Sequence, residues 1–352
     1  MSPEIASACA GLRVGPPVHA AGVSMFPLFA DGAASALAEP GYTVLRDALA
    51  AGTGRVTEVS EGGSVPVLRF SNDAPHPVLL LDGEELVGCK QNRILNLSIL
   101  APARGDIEIP VSCVEMGRWS RRSAQFSSPG RTMYAQLRAS KMAQVNRSLR
   151  EAGQHSADQG EIWASISAKS RRMGSRSQSE AMSGLYEQRE AEIERISRAL
   201  VPQPGQVGAA FALHGRLAGV EWFDAPGTLG RYLPAIVAGY ALDAIDTPDE
   251  DDLFAHGPHV APTRHDDAAP KSQAPSLEDV RALLARIAAC APARRPGVGL
   301  GEDLRVGEHG LVAAALVEAG RVVHLCAFDG LADPVAQRSP LRRRTLGGGE
   351  WV

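Results

Sequence analysis

Long apolar runs, paired cysteines and phosphate-loop signatures are all missing from this chain, and each absence narrows what it can be. No apolar run approaches the roughly 18 residues that span a bilayer, so no membrane helix is expected. The N-terminus, Met1-Ser-Pro-Glu-Ile-Ala-Ser-Ala-Cys9, lacks a basic segment leading into an apolar one. A secretory leader is therefore not expected, and a cytoplasmic location is the default. Five cysteines occur, Cys9, Cys89, Cys113, Cys290 and Cys326, with no CxxC spacing. An odd set without that spacing argues against a disulfide framework and against a ribbon-type zinc site. Most of these residues read as buried free thiols, which behave as small hydrophobes. No G-x-G-x-x-G leads from a strand into a helix, and no Walker A sequence, G-x-S-x-G elbow or solenoid repeat is present.

What is there fits an ordinary soluble domain. At 352 residues the chain has room for one large core or two lobes. The net charge of -4 names no partner, but charge is unevenly spread. Gly117 to Arg176 carries twelve Lys and Arg against three acids, and Asp246 to Asp267 is acidic. The basic segment could meet phosphates, or be the solvated face of helices. It lacks interleaved aromatics and any nucleic-acid motif, so nucleic-acid binding ranks last among the functional readings.

The first ~120 residues read as strands. Val18 to Phe29 is one strand ending near Pro27, and Thr43 to Gly52 is a short helix stopped by glycine. Pro66, within Val65 to Phe70, suggests an edge strand or a bulge. Pro77 to Asp82, Arg93 to Ala101 and Ile107 to Val114 are further strands. From Tyr134 to Val201 the period turns helical, with one long helix expected over Ser179 to Leu200. A hairpin turning at His214-Gly215, a helix capped by Thr228, a helix capped by Ser276 and a hairpin turning at Glu318-Ala-Gly320 follow. Strands in antiparallel-looking pairs predict an α+β fold with a mainly antiparallel sheet core and packed helices. One domain is expected over 14–246 and 276–330, with an arm at 1–13, an acidic Pro-rich linker at 247–275 and a tail at 331–352.

Inside these strands lies a stretch that a plain core does not need. Asp82-Gly-Glu-Glu-Leu-Val-Gly-Cys-Lys-Gln-Asn-Arg-Ile-Leu-Asn-Leu-Ser98 is followed by Ile109-Pro-Val-Ser-Cys-Val-Glu-Met-Gly-Arg-Trp119. Burying such polar groups costs free energy unless each finds a partner, which makes the stretch the leading functional candidate. If one strand runs through it, Asn92, Ile94, Asn96 and Ser98 line one face. Arg93 suits bidentate capture of a phosphate or carboxylate, or an ion pair with Glu84 or Glu85. Glu84 and Glu85 diverge on a strand, and each could instead pair with Lys90 or Arg93. Glu85 or Glu115 is a candidate general acid or base. Cys113 is a candidate nucleophile only if its thiolate is stabilised. Arg118 could clamp an anion, and Trp119 could stack on a base or sugar or fill the core. Gln91, Asn92 and Asn96 could orient hydroxyls. No metal spacing is present, and no cofactor is identified.

Gly83-Glu-Glu-Leu-Val-Gly, Lys90-Gln-Asn-Arg, Ile109-Pro-Val-Ser-Cys-Val-Glu and Gly117-Arg-Trp together resemble the ADP-ribosylglycohydrolase- and rhodanese-phosphatase-associated protein domain, a prokaryotic family. The resemblance runs from Phe26-Pro27-Leu28 through Gly62-Gly63-Ser64-Val65, Gly205-Gln-Val-Gly and Tyr240-Ala-Leu-Asp-Ala to His324-Leu-Cys-Ala-Phe328. Cys89 stands where the family pattern has a small residue such as Ala. The resemblance implies an association with enzymes of NAD and ADP-ribose metabolism. It thus implies either an enzyme acting on ADP-ribose or another NAD-derived phosphoribosyl metabolite, or a non-catalytic module that binds such ligands.

Overall fold

The computed structural model describes residues 2–30, 39–60, 66–175, 177, 179–246, 274–308 and 310–331. The expected linker and tail lie outside these residues, apart from Ala274, Pro275 and Leu331. The architecture is α+β, with extensive antiparallel sheet. A nine-stranded antiparallel sheet dominates. Its order is β1 (Leu12–Val14), β3 (Val23–Ala30), β13 (Gln206–Leu213), β14 (Arg216–Phe223), β18 (Arg321–Asp329), β17 (Leu311–Glu318), β16 (Glu302–Glu308) and β15 (Ala293–Pro296), with β2 (Val18–Ala20) also on β3.

Alternation along these strands feeds two cores, because successive side chains point to opposite faces. Met25, Phe211 and Phe223 pack with the long helices α3 (Ala135–Ala152) and α7 (Pro226–Ile245), while Phe26, Leu28 and Val220 pack on the opposite side with α8 (Leu277–Ala289). Helix α7 is buried almost all round, and Pro226 at its first turn is pre-set for helix. In α8, Val280, Leu283, Leu284 and Ile287 form a buried stripe, each contributing roughly 1.5–3 kcal/mol. A capping box between Ser276 and Asp279 starts that helix. Within the N-terminal arm, α1 (Pro3–Ala10) places Ile5 and Cys9 in the α8 core.

A six-stranded sheet carries the polar stretch. Its order is β12 (Phe126–Ser127), β8 (Glu85–Gly88), β9 (Arg93–Leu95), β11 (Gly105–Cys113), β6 (Val67–Asn72) and β5 (Gly54–Glu58). A third sheet joins β10 (Ile99–Ala101), β7 (Val78–Leu80) and β4 (Thr43–Val44), with β4 and β7 parallel. Helix α2 (Leu45–Ala50) closes their shared core.

Several sequence expectations change here. Arg93 to Ala101 is two strands in two sheets. The backbone leaves β9 at Asn96, whose N–H bonds the Pro110 carbonyl, and re-enters pairing at Ile99. Asn92, Ile94, Asn96 and Ser98 therefore do not line one face. Val18 to Phe29 is a hairpin, because Ala21 and Gly22 take positive φ of 41° and 84° and turn the chain. Pro66 lies just outside β6, which is an interior strand. The long helix over Ser179 to Leu200 is broken into α5 (Met182–Gln188) and α6 (Glu190–Ala199) at the non-helical Arg189, whose guanidinium bonds the Met173 carbonyl. Helix α7 starts at Pro226 rather than after a Thr228 cap. The His214-Gly215 and Ala319-Gly320 turns stand as expected.

One glycine binds the sheets to α3. Gly83 has φ +75°, donates to the Leu95 carbonyl and accepts from the Met133 N–H. An added Cβ would lie 2.8 Å from Arg138 Cδ. Gly83→Ala is therefore expected to lower stability by about 2–4 kcal/mol in urea unfolding, combining backbone strain with displacement of Arg138. A loss under 0.5 kcal/mol would show that Arg138 is not held in place by this turn.

Candidate functional site

The break at Asn96 divides the polar stretch between two separate places. Its first half, Lys90 to Arg93, meets the end of β11 and the loop beyond it. Arg93 lies opposite Cys113 in the β9–β11 register and is fully buried. Its Nη1 donates to Gln91 Oε1 (2.7 Å) and to Cys113 Sγ (2.8 Å). Its Nε and Nη2 have no hydrogen-bond partner among the described residues. The guanidinium carbon sits 5.5 Å from the ring centre of Trp119, and Lys90 Nζ lies 5.6 Å from the same ring. Trp119 is 50 % exposed, so it is not a core aromatic. Burial pushes the Cys113 thiol up to about 11, despite Arg93 beside it, so the sulfur stays neutral at ordinary pH.

Arg118, expected to be open to an anion, is consumed within the protein. Its Nε and Nη2 fork onto Glu115 Oε1 (2.9 Å) and Oε2 (2.7 Å), and its Nη1 bonds the carbonyls of Cys89 and Ser120. Burial opposes ionisation of Glu115, but Arg118 and the Asn92 N–H outweigh it and hold the carboxylate below its usual range. Asn92 Oδ1 accepts from Arg118 Nη2 and the Gly88 N–H. Gln91 Nε2 donates to the Glu115 carbonyl. Glu115, Arg118, Asn92 and Gln91 thus satisfy one another and form a clamp at the base of the loop from Gly117 to Gln125.

That loop is a wall between two pockets. One, of about 610 Å³, is lined by Thr57, Glu58, Ser60, Cys89, Lys90 and Arg121 among others. The other, of about 830 Å³, is lined by Glu115, Arg122, Ser175, Ser179, Glu187 and Gln188 among others. Consecutive arginines therefore serve opposite pockets. Glu58 and Arg121 were not singled out in the sequence, since each looks like an ordinary charged residue at a strand end or in a loop. Glu58 Oε1 accepts from the Lys90 N–H at 3.4 Å, and its buried Oε2 has no partner among the described residues.

Glu84 and Glu85 diverge as expected, but neither pairs with Lys90 or Arg93. Glu84 accepts from Ser128 Oγ (2.7 Å) and the Leu81 N–H. Glu85 has a 3.4 Å ion contact with Arg131 Nε that makes no hydrogen bond, and both its oxygens lack hydrogen-bond partners among the described residues. Burial raises each carboxyl to about 7, with Arg131 opposing the rise at Glu85. Glu115 and Glu187, both lining the larger pocket, add to the rise at Glu85.

The second half of the stretch belongs to a buried charge network that the sequence reading did not assemble. Asn96 Nδ2 donates to the His155 carbonyl, and its Oδ1 accepts from Ser112 Oγ. Asp82 accepts from Arg138 Nε (2.9 Å) and Lys141 Nζ (2.7 Å) of α3. Those two cations overcome burial and hold the Asp82 carboxyl below its usual range. Arg138 Nη1 reaches Glu221 Oε1 at 2.5 Å, and Glu221 Oε2 lies 3.1 Å from His324 Nε2. His324 Nδ1 lies 2.9 Å from Ser98 Oγ, which accepts the Asp82 N–H at 2.9 Å. The signal that could have found this ring is a Glu inside the apolar Ala218 to Phe223 strand, with Arg138 and Lys141 on the same helical face as Leu137 and Val145.

Potential ligand atoms of Glu221, His324 and Cys326 lie within 4.8 Å of one another. Arg138 already neutralises Glu221, and burial with the nearby Glu221 charge keeps the Cys326 thiol well above its usual range. A cation would have to displace a guanidinium and a proton, so these residues fit arginine better than a metal.

The family model described as the ARG and Rhodanese-Phosphatase-superfamily-associated Protein domain matches residues 11–328. The chain belongs to this family, and the match extends over both polar regions. No curated protein and no solved structure gives a significant match to the chain. Among the described residues no helix is long and apolar enough to cross a membrane.

Two outcomes follow from these environments. Arg118→Ala leaves the buried Glu115 carboxylate without its fork and is expected to cost about 3–5 kcal/mol by urea unfolding, whereas Arg121→Ala should cost under about 0.5. For Glu85, the folded carboxyl titrates near 7 against an ordinary 4.5. The folded state then binds the extra proton, so the contribution of Glu85 to stability is full below pH 4.5 and falls as pH rises from 4.5 through 7, by at most about 3 kcal/mol. Glu85→Gln should flatten that fall between pH 5.5 and 8; an unchanged slope would place the titration elsewhere.

Proposed function

We propose that this protein binds ADP-ribose or another NAD-derived phosphoribosyl metabolite at the wall between the two pockets, and that Glu85 is the acid or base of a reaction on it. The observation that carries the ligand class is the half-exposed Trp119 with the Lys90 and Arg93 cations against its ring, beside a pocket holding Glu58 and Arg121. A phosphoribosyl nucleotide offers what each of these groups takes. A base stacks on Trp119, phosphates meet Lys90 and Arg121, and a ribose diol donates to Glu58. The family's association with ADP-ribosylglycohydrolases agrees with that ligand class.

Glu85 is preferred over Glu115 because Glu115 is neutralised by Arg118, whereas Glu85 can hold or release a proton near neutral pH. Its complete burial favours the second reading, a module that binds the same ligands without turning them over. On the enzyme reading, Arg131 must swing aside to open Glu85 to the larger pocket.

Purified protein incubated with NAD, ADP-ribose and ADP-ribose phosphates, with product read by mass spectrometry and binding by thermal protection, separates the readings. Trp119→Ala and Lys90→Ala are each expected to weaken ADP-ribose about tenfold, and Glu85→Gln to abolish product while keeping protection. Protection without product in the unaltered chain leaves the binding module. Neither signal removes the ligand assignment.

A further inference from the structure

The charge network around Asp82 contains a second, unassigned chemical arrangement. Its hydrogen bonds close on themselves: Asp82 N–H to Ser98 Oγ, Ser98 to His324 Nδ1, His324 Nε2 to Glu221, Glu221 to Arg138, and Arg138 back to the Asp82 carboxylate. Direction follows from the donors. An ionised Glu221 can only accept, so a neutral His324 carries its proton on Nε2 and donates it there, and Nδ1 accepts from the Ser98 hydroxyl. Asp82, Arg138, Glu221 and His324 are all buried, whereas Ser98 is half-buried, the one member of the ring that is not fully enclosed. A second buried group points to a ligand. Arg305 spends its Nε on Asp303 (2.7 and 2.9 Å), and its buried Nη1 and Nη2 have no hydrogen-bond partner among the described residues. In the large sheet it lies in one row with Ala314 and Cys326, two residues along β18 from His324.

We propose that Ser98, His324 and Glu221 form a nucleophile, base and orienting carboxylate that hydrolyse a carboxylic ester, with Arg305 as the buried cation for the negative charge that develops. Ser98 Oγ bonds to the ester carbonyl carbon while its proton passes to His324 Nδ1. The tetrahedral adduct expels the alcohol oxygen, which takes that proton and leaves. Water then adds to the acyl-Ser98 ester through the same base, releasing the carboxylic acid and restoring the hydroxyl. Glu221 touches no reacting atom. It is a positioning residue that fixes the imidazole tautomer, and Arg138 fixes Glu221 in turn. The arrangement is independent of the Lys90–Trp119 site, so either assignment can fail alone.

The test is covalent labelling of the full chain with p-nitrophenyl acetate and with a small fluorophosphonate, mapped by peptide mass spectrometry. The expected result is a single adduct on the peptide holding Ser98, absent from Ser98→Ala and formed at least ~100-fold more slowly in His324→Asn. Mapping in the unaltered chain decides the matter even if a variant fails to fold. No adduct, an adduct on another residue, or an equal rate in a folded His324→Asn protein would overturn the proposal. For Glu221→Gln the readout is the low-field Nε2 proton resonance of His324. An upfield move together with slower labelling is expected, and slower labelling with the resonance unmoved would reduce Glu221 to a packing role.

Discussion

The carboxylate of Asp82 is the anchor on which the rest of the molecule depends. It sits in the turn two residues beyond β7 and takes Arg138 and Lys141 from α3. Lys141 also bonds the carbonyls of Leu95 and Asn96 where the chain leaves β9, and Arg138 continues to Glu221 in the large sheet. One buried acid thereby ties a helix to all three sheets. Apolar packing supplies the bulk of the stability, but it does not fix how the sheets are set against one another. A buried ion pair is costly to break, about 3–5 kcal/mol when one partner is removed, because it leaves an uncompensated charge. Charges in this network therefore specify relative placement, and Gly83 is the turn that lets Arg138 reach them.

The same principle explains the wall between the pockets. Glu115 and Arg118 neutralise each other at its base, and Asn92 and Gln91 complete their hydrogen bonds. With these groups satisfied, the loop can hold Trp119 in solvent with two cations against its ring. Gln91, Asn92, Glu115 and Arg118 bond one another, and Glu58, Lys90 and Arg121 line the smaller pocket beside the half-exposed Trp119. The polar stretch spends its first half on this wall and its second half on the ring around Asp82. The two share a segment of chain and no side-chain hydrogen bond linking them is found among the described residues.

Periodicity and turn chemistry made much of the fold legible. The α8 stripe with its Ser276 cap, the His214-Gly215 hairpin and the antiparallel strand pairs could all be read from local pattern, since each is stabilised by residues close in sequence. The break at Asn96 could not be read, because a Leu- and Ile-rich run with Asn96 and Ser98 set two apart is compatible with one strand or two. What divides it is the Pro110 carbonyl and the pull of Lys141, both distant in the chain. The split at Arg189 and the packing of α1 on α8 were likewise decided by contacts at long range.

For the site, the sequence by itself determined that buried polar groups crowd residues 82–98 and 109–119, because such groups in apolar strands always demand partners. It also determined the family to which the chain belongs, through motifs that are contiguous. Only the tertiary structure decided which partner each group takes. It turned Arg118 and Glu115 into a clamp, left the Glu85 carboxyl near 7 without a hydrogen bond among the described residues, and brought Ser98, His324 and Glu221 within hydrogen-bond distance across more than two hundred residues. The reason is physical. Residue type sets the cost of burial, but the partner that offsets it is chosen by where distant strands come to lie.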